Sequence, residues 1–149
     1  MDKTWIVVAD ASRARFFEVL DANDTLREME DMVNPAGRQQ DRDLRTDNQG
    51  RYYGRGEQMQ GHTAVQNTDP VMHELQLFAK RIGKHLEHGR NEHRYDRLCI
   101  IAAPKVLGLI RQHLDKTTRT LVTEELDKDI SNLDERAVQE YVRQKLGEQ

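Results

Sequence analysis

The sequence predicts an α/β domain in which a five-stranded mixed sheet lies between helices and one long polar loop interrupts the chain. Three stretches carry this reading. Residues 98–102, LCIIA, form an unbroken apolar run too short for a buried helix, as expected of a central strand covered on both faces. Pro104 follows where a helix begins, its missing N–H harmless there, and Val106, Leu107, Ile110 and Leu114 recur at helical spacing. A strand that turns into a helix through Ala102-Ala103-Pro104 is half of a βαβ unit. Residues 4–9, TWIVVA, are a second central-strand run. Asp69-Pro70 then reads as a helix start, with Val71, Leu75, Phe78, Ile82 and Leu86 on one face and Gly89 in the position of a C-terminal cap, so a helix is predicted over 70–88.

The remaining elements follow in order. Asp10-Ala11-Ser12 supplies turn chemistry, and residues 13–20, RARFFEVL, read as a strand rich in aromatic and β-branched side chains. Residues 25–33 alternate poorly and could form a helix, but the short turn at residues 21–24 favours a third strand at the sheet edge. Residues 34–70 are dense in Gly, Gln, Asn, Asp and Arg, and a loop of that length is usually functional or disordered. Residues 119–126, RTLVTEEL, are the expected fifth strand. Asn132 to Glu135 resembles a capping box, and Leu133, Val138, Tyr141, Val142 and Leu146 carry a last helix. The order is β-β-β-loop-α-β-α-β-α in a single domain over 1–149, with the first strand and the two late ones parallel.

Composition bounds the function. Hydrophobic residues are 36% and charged residues 33% of the chain, with a mean hydropathy of -0.88. This is lean for one core, so a polar excursion or self-association is expected. A net charge of -3 and a pI near 6.1 argue against general nucleic-acid binding, which needs a basic excess. Cys99, the one cysteine, sits in the organising strand and is expected as a buried, reduced thiol. The first apolar run is shorter than a signal-peptide core and no segment is long enough to span a bilayer, so a cytoplasmic, membrane-free protein is expected.

Four blocks in sequence, VADASRARFFEV, FAKRIGKHL, YDRLCIIAAPKVLGLIRQHL and VTEELDKDIS, resemble the bacterial host-attachment protein family. That family is similar in turn to the central domain of archaeal and eukaryotic peptide-chain release factors. The resemblance implies a three-layer, RNase H-like fold and contact with the ribosome or structured RNA. The family's name comes from attachment of a plant-associated bacterium to its host and does not itself describe a molecular activity.

Release factors carry Gly-Gly-Gln in a loop that places the water attacking the peptidyl-tRNA ester. Here the corresponding stretch is Gly54-Arg55-Gly56-Glu57-Gln58, with Glu57 at the second glycine, where a carboxylate repels both ester and phosphates. The plainer reading is a Gly/Gln-rich loop, and an ester-hydrolase role for Gln58 is a remote alternative. Arg38, Arg42, Arg45, Arg51 and Arg55, with Tyr52-Tyr53 for stacking, are matched by Asp41, Asp43, Asp47, Glu57 and Asp69, and a charge-balanced loop is usually just solvated.

A second cluster is more basic: Lys80, Arg81, Lys84, Arg90, Arg94 and Arg97 stand against Glu87, Glu92 and Asp96, with His85, His88 and His93 interspersed. A weak RNA or ribosome contact is expected here if anywhere, although a solvated helix face is the plainer reading. The histidines lack a cysteine or helical acid to complete a tetrahedral metal set. Asp10 ends the first strand where a nuclease carboxylate belongs, but Ala102-Ala103-Pro104 ends the organising strand where a second would be needed. Asp10 is therefore expected as a turn residue pairing with Arg13 or Arg15, and the acids Glu124, Glu125, Asp127 and Asp129 as a solvated edge. No catalytic residue, metal or cofactor is assigned. The candidate contact residues are Arg51, Arg55, Gln58, Lys80, Arg81 and Lys84, and the runner-up function is a protein-interaction or self-assembly module forming a homo-oligomer.

Overall fold

The computed structural model describes residues 2–37 and 69–146. Its elements are β1 (Thr4–Ala9), β2 (Arg13–Val19), β3 (Leu26–Val33), α1 (Pro70–Asn91), β4 (Arg97–Ala102), α2 (Pro104–Gln112), α3 (Lys116–Thr120), β5 (Val122–Leu126) and α4 (Glu135–Leu146). The five strands form one sheet in the order β3-β2-β1-β4-β5. β1 runs antiparallel to β2 and parallel to β4, and β4 is parallel to β5, so the sheet is mixed as expected.

The two central strands are apolar at every inner position because both faces are covered. Register pairs Trp5 with Leu98 and Val7 with Ile100 on one face, beneath α1 and α2. On the other face Ile6 pairs with Cys99 and Val8 with Ile101, against Val138 and Val142 of α4. Each fully buried aliphatic side chain of this kind contributes about 1.5–3 kcal/mol. The result is a helix–sheet–helix stack with two separate apolar layers.

Several boundaries differ from the sequence reading. α1 continues past residue 88 to Asn91, and Gly89 lies inside it rather than capping it. A Cβ on Gly89 would stand 2.7 Å from Cη2 of Trp5 and 3.2 Å from Cε1 of Tyr95, so the glycine lets the helix approach the indole. Arg119 and Thr120 belong to α3 and not to the fifth strand, because the Asp115 carboxylate accepts the Thr118 N–H at 2.9 Å and starts a helical turn. The cap of α4 is Asp134, which accepts the Ala137 N–H at 2.8 Å, in place of the box expected at Asn132. Asp69 caps α1 as expected, accepting the Val71 N–H at 3.0 Å.

The polar loop expected over 34–70 does not begin at once. Asn34 is buried, donating its backbone N–H to Ser12 O at 2.8 Å and its side-chain amide to Ala11 O at 2.9 Å. Gly37 comes so close to the β1–β2 turn that a Cβ there would sit 2.0 Å from Ala11 O. This places Gly37 at the carboxyl end of β1. α1 starts at the same edge of the sheet, since its far end lies by the start of β1, where Lys3 Nζ donates to His93 O at 2.7 Å. Among the described residues, no helix is long and apolar enough to cross a membrane.

Candidate functional site: the outer face of the first helix

α1 is amphipathic, and its two faces have different chemistry. Leu75, Phe78, Ala79, Ile82 and Leu86 are buried against the sheet. The opposite stripe carries His73, Leu77, Lys80, Lys84, His88 and Asn91, with Arg81 beside it, all exposed. Steps of three and four residues keep these positions in line, over about 27 Å of helix.

The six cations of the predicted basic cluster are sorted by what lies near them. The Arg90 guanidinium reaches Asp115 at 3.2 Å and Thr118 at 3.1 Å, tying α1 to α3. The Asp115 carboxyl is held below the usual range, first by its hydrogen bonds with Thr118 and then by Arg90. Arg97 pairs with Asp2 at 3.0 Å, and Arg94 lies 5.1 Å from the centroid of the Trp5 ring. Lys80, Arg81 and Lys84 alone of the six point outward together. Among the described residues no carboxylate stands within ion-pair distance of them; Arg81 lies 5.5 Å from the Phe78 ring. Three predicted contact residues are thus brought to one surface. The other three, Arg51, Arg55 and Gln58, lie outside the described residues.

Next to this face, a histidine joins α1 to the sheet edge. The β2–β3 ladder has a bulge opposite Phe16, where the pairs Arg15–Asp31 and Phe17–Glu28 leave Met29 and Glu30 facing one residue. Glu30 Oε1 comes within 2.8 Å of His85 Nε2, without the alignment of a hydrogen bond. The imidazole lies against Phe16, with centroids 4.4 Å apart, and stacks on Trp5 at 5.9 Å. Burial pushes its pKa below the ordinary 6.5 despite the opposing pull of Glu30, so His85 is a neutral packing group near neutral pH.

The carboxyl end of β1 and β4, where parallel sheets commonly hold ligands, is filled by the chain itself. Asp10 Oδ1 accepts the backbone N–H groups of Ser12 and Arg13 at 2.8 and 2.9 Å and the Ser12 hydroxyl at 3.0 Å. Its other oxygen accepts the hydroxyl of buried Ser131. Asp10 is a turn residue as expected, but neither arginine side chain pairs with it. Arg13 reaches Asp31 at 3.0 Å and Arg15 reaches Glu28. Burial pushes the Cys99 thiol up to about 12, which keeps it protonated and unreactive. Among the described residues no three His, Cys, Asp or Glu side chains form a metal-ligand group, so His85, His88 and His93 do not converge.

Arg15 is the residue the sequence reading undervalued. It is 5% exposed, fixes Glu28 with two bonds of 2.9 and 2.8 Å, and donates to the carbonyls of Ser131 and Leu133. Its signal was parity: Arg13, Arg15 and Phe17 share one face of β2, so a charge at the middle position points inward with Phe17.

The sequence profile of the family described as "Protein required for attachment to host cells" matches residues 5–142. An uncharacterized protein of Rickettsia prowazekii (strain Madrid E) is 44% identical over 66 residues, which cover 40% of this chain and 44% of that protein.

Proposed function

The chain belongs to the family of proteins required for attachment to host cells, and from that premise we propose that it is a cytoplasmic, non-catalytic factor that contacts the ribosome or another structured RNA through the outer face of α1. One observation carries the reading: Lys80, Arg81 and Lys84 project together, without a carboxylate partner among the described residues, from a chain of net charge -3. Ammonium and guanidinium groups bind phosphate oxygens by charge-assisted hydrogen bonds, and each such contact releases counterions from a polyanion. The strand order β3-β2-β1-β4-β5 supports an RNase H-like classification, and with it the kinship to release-factor central domains that the sequence blocks imply. Arg51, Arg55 and Gln58 stay in the proposal on sequence grounds. Ester hydrolysis does not, because Glu57 replaces the glycine that such a loop needs.

The test is co-sedimentation of the tagged protein with ribosomes from its own cells at low and high salt. Co-migration at low salt that is lost at high salt is the expected result. Absence from ribosomes at every salt contradicts the proposal, and a hydrodynamic mass above the monomer would then direct attention to self-assembly.

A further inference from the structure

The reading above leaves open which feature of an RNA the helix would recognise, and the side chains on the stripe address this. Recognition of single-stranded RNA depends on splayed bases stacking on aromatic rings or on guanidinium planes. The one guanidinium of the group, that of Arg81, already lies over the Phe78 ring at 5.5 Å. Of the six described aromatic residues, Trp5, Phe16, Phe17, Phe78 and Tyr95 are buried, and Tyr141 is packed with α4 on the far side of the sheet. Among the described residues none faces outward from α1; Tyr52 and Tyr53 lie outside them. A base pocket also needs concavity, whereas Lys80, Arg81 and Lys84 stand exposed on the outer face of a single helix. The middle of the stripe offers the donors and positive charge of Lys80, Arg81 and Lys84, with neutral Leu77 and Asn91 along it. At its far end His88 pairs with Glu92 at 3.0 Å, and at its near end Glu74 is exposed. Two ammonium groups, and a guanidinium whose plane is already set against Phe78, read phosphate, and phosphate contacts carry no sequence information.

Resting on that functional reading, we infer that the outer face of α1 is a sequence-independent reader of the phosphodiester backbone of double-helical RNA, with Lys80, Arg81 and Lys84 as its three phosphate contacts. The net charge of -3 helps orient the molecule, since the Lys80/Arg81/Lys84 group, unpaired among the described residues, is drawn to a polyanion while the chain as a whole is repelled. The chemistry fits a duplex better than a single strand, because a duplex keeps its phosphates at fixed spacing without asking the protein to hold bases apart.

The experiment is fluorescence anisotropy of the full chain with labelled RNA duplexes of two unrelated sequences, single-stranded oligo-U and oligo-A, and vesicles containing an anionic phospholipid, across a salt series. The two duplexes are expected to bind within about twofold of each other and more tightly than either single strand. The logarithmic salt slope should be about -3, the value for three neutralised phosphates. The variant K80Q/R81Q/K84Q should lose roughly tenfold or more in affinity and most of that slope. Its thermal unfolding serves as the control for folding. A marked preference for one homopolymer, or for one duplex sequence, overturns the inference while leaving RNA binding intact. Tighter binding to the anionic vesicles than to any RNA overturns both, as does binding to no RNA at any salt or binding that the triple variant leaves unchanged.

Discussion

Arg15 and the Lys80/Arg81/Lys84 group show the two uses to which this chain puts its cations. Arg15 is committed within the fold: two bonds to Glu28 and two to backbone carbonyls satisfy its guanidinium, and its pKa is raised, first by the hydrogen bond with Glu28. It latches the segment between β5 and α4 onto β2. The α1 group makes no ion pair with any described residue and is exposed. Burial and partners, and not the charge itself, separate a structural cation from one available to a ligand. The comparison predicts that substitutions at the first site will change stability, whereas substitutions at the second will change binding.

The largest effect is expected from Arg15→Ala. It leaves Glu28 and two carbonyls unpaired, and because the Glu28 side chain is 23% exposed the cost should fall near or below the lower end of that for buried pairs, about 2–4 kcal/mol, measured by urea unfolding. A loss under about 0.5 kcal/mol, typical of a surface substitution, would show that Arg15 is not a latch.

Gly89→Ala comes next. Overpacking against Trp5 opposes the gain in helix propensity, so a net loss of about 1–2 kcal/mol is expected, with altered tryptophan fluorescence. Stabilisation by this change would contradict the close approach of α1 to the indole. Replacing Lys80, Arg81 and Lys84 together should leave the unfolding free energy within about 0.5 kcal/mol of the parent.

Acid should weaken the fold in two steps with the same sign. His85 has a folded pKa below 6.5, so the unfolded chain binds its proton first and stability falls as pH drops through 6.5. The Glu28 carboxyl is held below 4.5, chiefly by its hydrogen bond with Arg15, so the stability this supplies is present above 4.5 and is lost as pH falls through the lowered value. Urea midpoints across pH should show both steps. His85→Gln should remove the upper one, and Glu28→Gln should reduce the lower, to which the lowered Asp115 and Asp21 carboxyls also contribute. An upper step that persists without His85 would assign it to another group.

The sheet was legible because its central strands are continuous apolar runs, which few other structures accommodate. Helix α1 was legible from its cap and periodicity. The start of β5 was not, because RTLVTEEL reads as one β-branched run and the side chain that breaks it, Asp115, acts three residues on through Thr118. Gly89 looked like a cap because its reason, the Trp5 ring, lies at the other end of the chain. The basic cluster could be found by counting charges but not sorted. Arg90 and Arg97 are neutralised by Asp115 and Asp2, and Arg94 is held by Trp5, partners that only the fold brings near. The bulge that aims Glu30 at His85 had no sequence signal, since residues 25–33 alternate poorly to begin with.

The most direct test of the central claim compares two variants that remove the same charge from different places. One is K80Q/R81Q/K84Q. The other is K105Q/K116Q/K128Q, which removes three exposed lysines that also lack a carboxylate partner among the described residues but lie on α2, on α3 and after β5. Both are assayed for duplex-RNA affinity at one low salt concentration. Loss of binding in the first with near-parental binding in the second is the predicted result. Equal loss in both would mean that overall charge, and not the face of α1, governs the contact, and would contradict the account.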